Sequence, residues 1–275
     1  MSIRPSPEAE AQGALFRLLP ARPRPRPGET LGSGAGDSVE FEDRRGFEPG
    51  DEVRRIDWRA FARTDRLLLK RYRAEHQPAL TVILDTSRSM ALHPEKAQRA
   101  VDLARVALLS SPGWSQRLWA DGRPLDPAAL GQGLTFDHVV PWIEHLDAAV
   151  ETVQPGAVCL VISDLLFPAA PEPWVRRLSA RAGRVVVLQV LAQDELSPTP
   201  LGAARLEDVE SGAAVELVVD EVAVAAYRRR REALSAAIET ATRQVGGGFA
   251  LCQASAPLAE DLARRAVSAG LLGPR

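Results

Sequence analysis

The chain has 275 residues, of which 45% are hydrophobic and 25% are charged, and its formal net charge is −2 at pH 7. Such a chain can bury a substantial core, and its composition is that of a soluble globular protein. The near-neutral charge excludes a strong global attraction to nucleic acid. The longest apolar runs, such as residues 157–162, are too short to span a bilayer, and the first residues lack the apolar segment of a signal peptide. We therefore expect a cytoplasmic protein with no nucleic-acid partner and no direct membrane insertion.

The first 78 residues show no regular alternation of strands and helices. Residues 8–19 have the spacing of a short amphipathic helix, and residues 20–36 alternate Arg with Pro before ending in Gly and Ser. This composition favours an extended chain, so residues 1–36 are predicted to be a flexible N-terminal segment and linker. Residues 37–78 are dense in charge and include a predicted strand over 67–72. This segment is too short and too polar to form a hydrophobic core of its own. We therefore predict that it is an extension that packs on the main domain.

From residue 79 the pattern alternates between strands and helices, and the continuous apolar runs are typical of strands covered on both faces. The predicted strands span residues 79–84, 116–120, 157–163, 184–191 and 249–252, and the predicted helices span residues 94–110, 137–150, 172–182 and 258–269. Residues 204–219 instead predict an inserted β-hairpin, followed by a long helix with Asp220 as its N-cap. This order predicts an α/β fold over residues 79–270, with a doubly wound, mainly parallel sheet.

Cysteine and histidine give little indication of a redox or metal site. Cys159 and Cys252 fall in apolar runs, which predicts two buried free thiols rather than a disulfide. His138 and His145 are seven residues apart on one predicted helix. That spacing places them too far apart along the helix to chelate one ion.

The candidate functional residues lie where predicted strands end. Asp85 ends the first apolar strand and is followed by Ser87 and Ser89, so one tight loop offers a carboxylate and two hydroxyls. In open parallel sheets, ligands bind at the carboxyl ends of the strands. Hard oxygens suit Mg²⁺ or another divalent cation. Because one carboxylate under-neutralises the ion, a partner protein's carboxylate can complete its shell.

Two more segments add candidate ligands. Asp164 follows another buried strand, which places a second carboxylate at the same edge of the sheet. Thr135, in a Gly-rich loop before a predicted helix, is the natural third contributor because it is the only threonine of this stretch. A structural alternative is that the two aspartates cap strand ends or helix N-termini, with Ser87 and Ser89 as turn formers. Two acidic strand ends, one of them with D-x-S-x-S, favour a metal site formed by Asp85, Ser87, Ser89, Thr135 and Asp164.

The motif D-T-S-R-S-M at residues 85–90 resembles the metal-ion-dependent adhesion site of von Willebrand factor A domains. The motifs R-G-F-E-P-G-D at residues 45–51 and R-R-I-D-W at residues 54–58 resemble the bacterial family called domain of unknown function fifty-eight. That family joins such a block to an A-like domain, and the resemblance covers about residues 38–255. It implies a von Willebrand factor A-like, Rossmann-like domain that binds a protein through a metal ion and is not an enzyme. Because members are often encoded beside a MoxR-type AAA+ ATPase, it also implies an adaptor acting with such an ATPase in protein maturation or remodelling.

Two alternatives to this function remain open. Haloacid dehalogenase-like phosphatases also place an aspartate after the first strand, but they need a second acid where this chain has Ser87. The strands carry no G-x-S-x-G hydrolase elbow, the chain has no Walker loop, and no G-x-G-x-x-G follows the first strand. A Mg²⁺-dependent hydrolase is therefore the first alternative, and a scaffold with a vestigial metal site is the second.

The upstream block allows two interpretations. Acidic and basic residues alternate around Trp58, among them Arg54, Arg55, Asp57 and Arg63. Charge-assisted hydrogen bonds in this cluster can lock the extension onto the sheet, or the cluster can form a docking face for a partner. We expect Trp58 to be buried against the main domain, with Asp57 or an adjacent arginine in an ion pair.

Overall fold

The computed structural model describes residues 2–21, 39–48, 56–74, 77–138, 142–167, 169–209 and 211–275. These residues form two compact units, one from Met1–Arg22 with Pro78–Arg275 and one from Pro23–Gln77. Most of the predicted linker and the Pro-Gly-Asp turn of the upstream block lie outside the described residues.

The regular elements follow in chain order. The strands are β1 (Ser2–Ile3), β2 (Phe16–Leu18), β3 (Val39–Gly46), β4 (Leu68–Ala74), β5 (Ala79–Leu84), β6 (Ser115–Ala120), β7 (Arg123–Leu125), β8 (Leu134–Thr135), β9 (Val158–Ser163), β10 (Arg184–Leu191), β11 (Gly202–Glu207), β12 (Ala214–Val219), β13 (Gly248–Gln253) and β14 (Leu272–Pro274). The helices are α1 (Pro7–Gly13), α2 (Trp58–Thr64), α3 (Arg88–Ala91), α4 (Pro94–Leu109), α5 (Ala129–Gln132), α6 (Trp142–Val150), α7 (Pro171–Arg181), α8 (Gln193–Leu196), α9 (Glu221–Gln244) and α10 (Leu258–Glu260), the last continued by a π-helical segment at Asp261–Ala266.

A six-stranded sheet of order β13-β10-β9-β5-β6-β7 forms the centre of the larger unit. Every pairing is parallel except that of β6 with β7, which is antiparallel. The chain first moves from β5 to β6 on one side and then returns to β9 on the other, so the direction of winding reverses between β5 and β9. The prediction of an α/β fold with a mainly parallel sheet is confirmed, and the reversal marks the edge where ligands bind in such sheets.

Helices cover both faces of this sheet. Leu80, Val82 and Leu84 of β5 belong to a core cluster that includes α4. Ile83, between them, belongs to a second cluster that includes α7 and α9. Because successive side chains of a strand point to opposite faces, this division shows that β5 is buried from both sides, as its uninterrupted apolar run predicts.

The inserted hairpin is also confirmed, since β11 and β12 pair antiparallel after β10. The long helix α9 begins after Asp220, whose side chain accepts a 2.8 Å hydrogen bond from the Ala223 backbone N–H as an N-cap does. Cys159 and Cys252 are free, buried thiols, and burial raises the pKa of each to about 12. None of the helices in the described ranges combines the length and apolar composition that crossing a bilayer requires.

The N-terminal residues differ from their prediction. The helix predicted over residues 8–19 ends at Gly13, where an added Cβ would lie 2.6 Å from Leu109, and residues 16–18 form β2 instead. β2 pairs antiparallel with β14, a contact between distant parts of the chain that local spacing does not indicate. Residues 2–21, predicted as part of a flexible segment, therefore form regular elements in the larger unit, where Ala9 and Leu18 are buried.

The smaller unit contains the antiparallel pair β3–β4 with α2 before β4. β4 confirms the strand predicted over residues 67–72. Asp57 is the N-cap of α2 and accepts 3.1 Å hydrogen bonds from the backbone N–H groups of Arg59 and Ala60. The Trp58 side chain is 57% exposed and lies edge-on to Phe61, so its own unit leaves most of it uncovered. Packing of this block on the main domain stays a prediction.

Candidate metal centre

Asp85 and Asp164 lie at the same edge of the central sheet. β5 and β9 are paired in parallel with Leu84 opposite Ile162. The Asp85 backbone N–H donates a 2.9 Å hydrogen bond to the Ile162 carbonyl, which extends the ladder one residue past β5. The two aspartates therefore follow neighbouring strands at the point where the winding of the sheet reverses, and the prediction that both strands end at one edge is confirmed.

The Asp85 carboxylate is buried and held in one orientation. Its Oδ1 accepts a 2.9 Å hydrogen bond from the Ser87 backbone N–H, which closes a turn between the two residues. Its Oδ2 accepts a 2.6 Å hydrogen bond from the Ser163 hydroxyl. Sequence reasoning did not single out Ser163, although a hydroxyl residue at the end of a buried strand and next to Asp164 was a visible signal.

The hydroxyls of Ser87 and Ser89 lie 3.0 Å apart. Ser87 precedes α3, but its hydroxyl makes no capping hydrogen bond with that helix and is directed to Ser89 instead. Adjacent oxygen ligands of an octahedral ion with bonds of 2.0–2.1 Å are separated by about 3.0 Å. The spacing of the two hydroxyls therefore fits neighbouring positions around Mg²⁺.

The charge of Asp85 is poorly compensated by the protein. Burial, followed by the negative charge of Asp164, raises the pKa of Asp85 to about 7, although the hydrogen bonds from Ser163 and Ser87 lower it. A bound divalent cation would offset both unfavourable contributions, because it attracts the ionised carboxylate. The donor set and its electrostatics thus fit a hard cation.

Asp164 has an internal counter-ion. The fully buried Lys96 ammonium donates a 2.9 Å hydrogen bond to Asp164 Oδ2 and a 2.6 Å hydrogen bond to Glu195 Oε1. Burial by itself would lower the pKa of Lys96, but the charges of the two carboxylates raise it above its ordinary value. Asp164 Oδ1 accepts a 3.2 Å hydrogen bond from the Leu166 backbone N–H. Because the Lys96 ammonium already neutralises Asp164 and repels a second cation, Asp164 fits contact with an ion through water better than direct coordination.

A buried polar chain supports the backbone of Asp164. Gln189 donates a 2.8 Å hydrogen bond to the Asp164 carbonyl and accepts a 2.7 Å hydrogen bond from the Ser235 hydroxyl. The next residue, Leu165, has a φ of 54°, a left-handed conformation that non-glycine residues seldom adopt. Its backbone N–H donates a 3.0 Å hydrogen bond to the Ser163 hydroxyl. Side chains from β9, β10 and α9 thus fix the turn that carries Asp164.

Thr135 lies in a different setting from the other predicted ligands. It is exposed, pairs with Ser2 in the short β1–β8 sheet and donates a 3.1 Å hydrogen bond to Asp137. The same loop reaches the metal-site motif through His138, whose backbone N–H donates a 3.2 Å hydrogen bond to the Thr86 carbonyl. The role of Thr135 as a ligand stays a prediction. Within the described ranges, no three His, Cys, Asp or Glu side chains cluster as a metal site, so an ion here would depend on the serine hydroxyls.

A surface cleft borders the motif. It has a volume of about 430 Å³ and lies between Arg88 and Leu92 on one side and the tip of the β11–β12 hairpin on the other. Its hairpin wall includes Glu207 and Asp208. Arg88, which is exposed and lies between the candidate ligands Ser87 and Ser89 in the sequence, therefore lines this open cleft.

Comparison with known proteins supports the family indicated by the sequence. Residues 43–118 match the family described as "Protein of unknown function DUF58", and this segment contains both the upstream motifs and D-T-S-R-S. Uncharacterized protein Rv1480 of Mycobacterium tuberculosis and uncharacterized protein Mb1516 of Mycobacterium bovis are each 26% identical over 217 residues, which cover 70% of this chain and 68% of each relative.

Two solved structures are also similar. One is the conserved hypothetical protein BatB from Bacteroides thetaiotaomicron, with a TM-score of 0.40, 13% identity, and coverage of 70% of this chain and 95% of that chain. The other is an aerotolerance-related membrane protein from Bacteroides fragilis, with a TM-score of 0.31, 15% identity, and coverage of 59% of this chain and 99% of that chain.

Proposed function

We propose that this chain is a von Willebrand factor A-like protein-binding module in which Asp85, Ser87 and Ser89 hold Mg²⁺ or another divalent cation. The observation that carries the proposal is the buried Asp85 carboxylate beside two hydroxyls 3.0 Å apart, at the reversal point of the sheet. Asp164 contributes through water, and Thr135 is the remaining candidate ligand. A carboxylate of a partner protein completes the shell of the ion.

The charges on the motif side of the cleft favour an acidic partner. Lys96 already neutralises part of the charge of Asp164 and Glu195, which leaves Asp85 as the carboxylate available to the ion. One carboxylate and one divalent cation leave a net positive charge. Arg88 adds a second positive charge on the motif side of the cleft, opposite the acidic Glu207 and Asp208 of the hairpin wall. An aspartate or glutamate on a protruding loop of the partner therefore gains from both the ion and the guanidinium.

The family resemblance suggests the class of partner. A MoxR-type AAA+ ATPase is the partner that we propose for a cytoplasmic adaptor acting in protein maturation or remodelling. The exposed apolar side chains of the hairpin, Leu206, Val215 and Val218, lie on the element that forms the far wall of the cleft. Such side chains beside a polar site are typical of a protein-interaction surface.

Each alternative function has one observation in its favour. A pKa of about 7 at Asp85 suits a general base, which favours a Mg²⁺-dependent hydrolase. The Lys96 ammonium already supplies a cation at Asp164, which favours a scaffold with a vestigial metal site. A phosphatase assay with Mg²⁺ tests the first alternative, and a metal titration tests the second.

The decisive experiment separates metal binding from partner binding. Mn²⁺, used as a paramagnetic substitute for Mg²⁺, is titrated into metal-stripped wild type, Asp85→Ala and Asp147→Ala, the last being an exposed control on α6. We expect Mn²⁺ binding by wild type and the control and its loss in Asp85→Ala. The same three proteins are then tested for capture of a purified MoxR-type ATPase with Mg²⁺ or EDTA. Metal-dependent capture that Asp85→Ala retains contradicts the proposed mechanism, and capture that EDTA does not affect favours the vestigial scaffold.

A further inference from the structure

Two histidines that the sequence predicted to be apart on one helix face each other. His138 forms a β-bridge with Ser87 outside α6, which the structure describes as Trp142–Val150, whereas His145 lies within that helix. Their ring centroids are 4.0 Å apart with an interplanar angle of 49°, and the two Nε2 atoms are in direct contact. The expectation that their spacing prevents joint chelation of an ion is therefore wrong, because it assumed a helix running through both residues.

The surroundings hold this pair in place. His138 is anchored to the metal-site motif by its backbone hydrogen bond to Thr86 and by a parallel bridge to Ser87. The β6–β7 turn closes over the rings, because a Cβ on Gly122 would lie 3.0 Å from His138 Cε1 and 3.1 Å from His145 Nε2. The His145 side chain is buried, whereas His138 is half-buried and gives access from solvent.

The chemistry of two facing imidazoles allows two arrangements. One ring donates its N–H to the nitrogen of the other, or both rings direct lone pairs at one cation. Neutral imidazole is a preferred ligand of Zn²⁺, Ni²⁺ and Cu²⁺, whereas Mg²⁺ prefers oxygen.

We propose that the Nε2 atoms of His138 and His145 together bind a transition-metal cation of the Zn²⁺ class, at a site separate from the candidate Mg²⁺ centre. At Zn–N distances of 2.0–2.1 Å, tetrahedral coordination separates the two nitrogens to about 3.3 Å. Binding therefore requires the two Nε2 atoms to move apart, and the half-buried His138 is the ring of the pair with access to solvent. Because the described side chains provide no cluster of three His, Cys, Asp or Glu ligands, water or a partner's side chain occupies the remaining positions.

An ion bound by the two histidines would restrain the loop that contains His138. The ion joins α6 to the loop that is hydrogen-bonded to the D-T-S-R-S motif. Occupancy therefore restrains the loop on one side of the candidate Mg²⁺ centre without contributing a ligand to it. The histidine pair offers nitrogen ligands and the candidate Mg²⁺ centre offers oxygen ligands. Binding of Zn²⁺ at the first site and of Mg²⁺ at the second can therefore be measured separately.

The test uses the metal-stripped full chain and ZnCl₂ alone. Isothermal titration compares wild type with His138→Gln, His145→Gln and the control His93→Gln, since His93 lies at the start of α4 beside Glu95. We expect each variant of the pair to lose at least tenfold in affinity for Zn²⁺ and the control to bind as wild type does. In long-range ¹H–¹⁵N spectra of wild type, the Nε2 resonances of both residues should move on addition of Zn²⁺.

The outcomes decide the proposal in either direction. Wild-type affinity in both variants, or Nε2 resonances that Zn²⁺ leaves unchanged, overturns it and assigns the pair to a shared proton. If His145→Gln fails to fold because His145 is buried, His138→Gln and the spectra of wild type still decide. Asp85→Ala should retain Zn²⁺ binding, so failure of the candidate Mg²⁺ centre and failure of this site are distinguishable.

Discussion

The Ser163 hydroxyl donates a 2.6 Å hydrogen bond to Asp85 Oδ2, so the last residue of β9 orients the carboxylate that follows the neighbouring strand β5. Both residues are buried, and this bond is one of the contributions that lower the pKa of Asp85. The orientation of the candidate metal ligand thus depends on a side chain 78 residues away. Strand pairing and the geometry of the site are therefore coupled at this point.

Ser163→Ala is predicted to destabilise the protein by about 1–3 kcal/mol, because a buried carboxylate oxygen loses its hydrogen-bond donor. The pKa of Asp85 should rise further, which weakens binding of Mn²⁺ or Mg²⁺ at neutral pH through competition with a proton. Urea unfolding and metal titration measure the two effects. Ser179→Ala on the exposed face of α7 is the control. Unchanged stability and unchanged metal affinity in Ser163→Ala would contradict the assigned role of this bond.

The stability of the metal-free protein should fall as pH rises from about 4 to 7. In the folded state the pKa of Asp85 is about 7, whereas in the unfolded chain it returns to about 3.9. In this window the folded state holds a proton that the unfolded state has released, so raising the pH favours unfolding. The side chain of Asp85→Asn does not titrate in this window. In urea unfolding, its free energy of unfolding should therefore depend less on pH than that of wild type. If the free energies of unfolding of wild type and Asp85→Asn change in parallel with pH, the Asp85 carboxyl has an ordinary pKa in the folded state.

The sheet and the acidic edge could be predicted because their signals are local. β5 and β10 coincide with their predicted strands, and β9 begins one residue later than predicted. These strands could be found in the sequence because an uninterrupted apolar run is typical of a strand that is covered on both faces. The positions of Asp85 and Asp164 follow from those strand ends. The pairing of β2 with β14 has no such signal, because it joins residues that are more than 250 positions apart.

The remaining features of the site depend on long-range contacts or on a helix boundary. Lys96 occupies a buried position of α4, but its two acidic partners lie 68 and 99 residues away in the sequence. A single lysine in a helical pattern does not indicate such partners. The pairing of His138 with His145 depended on where α6 begins, and helix boundaries are the least certain part of a pattern-based prediction.

Lys96→Met is predicted to destabilise the protein by about 3–5 kcal/mol, because it leaves the carboxylates of Asp164 and Glu195 without their buried counter-ion. The additional change Glu195→Gln should recover part of this loss by removing one of the uncompensated charges. Urea unfolding near pH 7 measures each variant. Arg177→Met breaks an exposed ion pair and should change stability by at most about 1 kcal/mol. A small effect of Lys96→Met, comparable with that of the control, would show that the buried network contributes little.

Gly122→Ala tests the contact between the β6–β7 turn and the histidine pair. Gly122 has a φ of 67° and Gly113 a φ of 78°, so alanine imposes backbone strain of about 1–2 kcal/mol at both positions. Only at Gly122 does the new Cβ meet other atoms, at 3.0 Å from His138 and 3.1 Å from His145, whereas Gly113 has nothing within 4 Å. Gly122→Ala should therefore cost roughly 1 kcal/mol more than Gly113→Ala in urea unfolding, because close-packed side chains resist an added methyl group. It should also displace the imidazole resonances of both histidines, which Gly113→Ala leaves in place. Equal destabilisation by the two variants, with unmoved histidine resonances, would mean that the turn does not confine the pair.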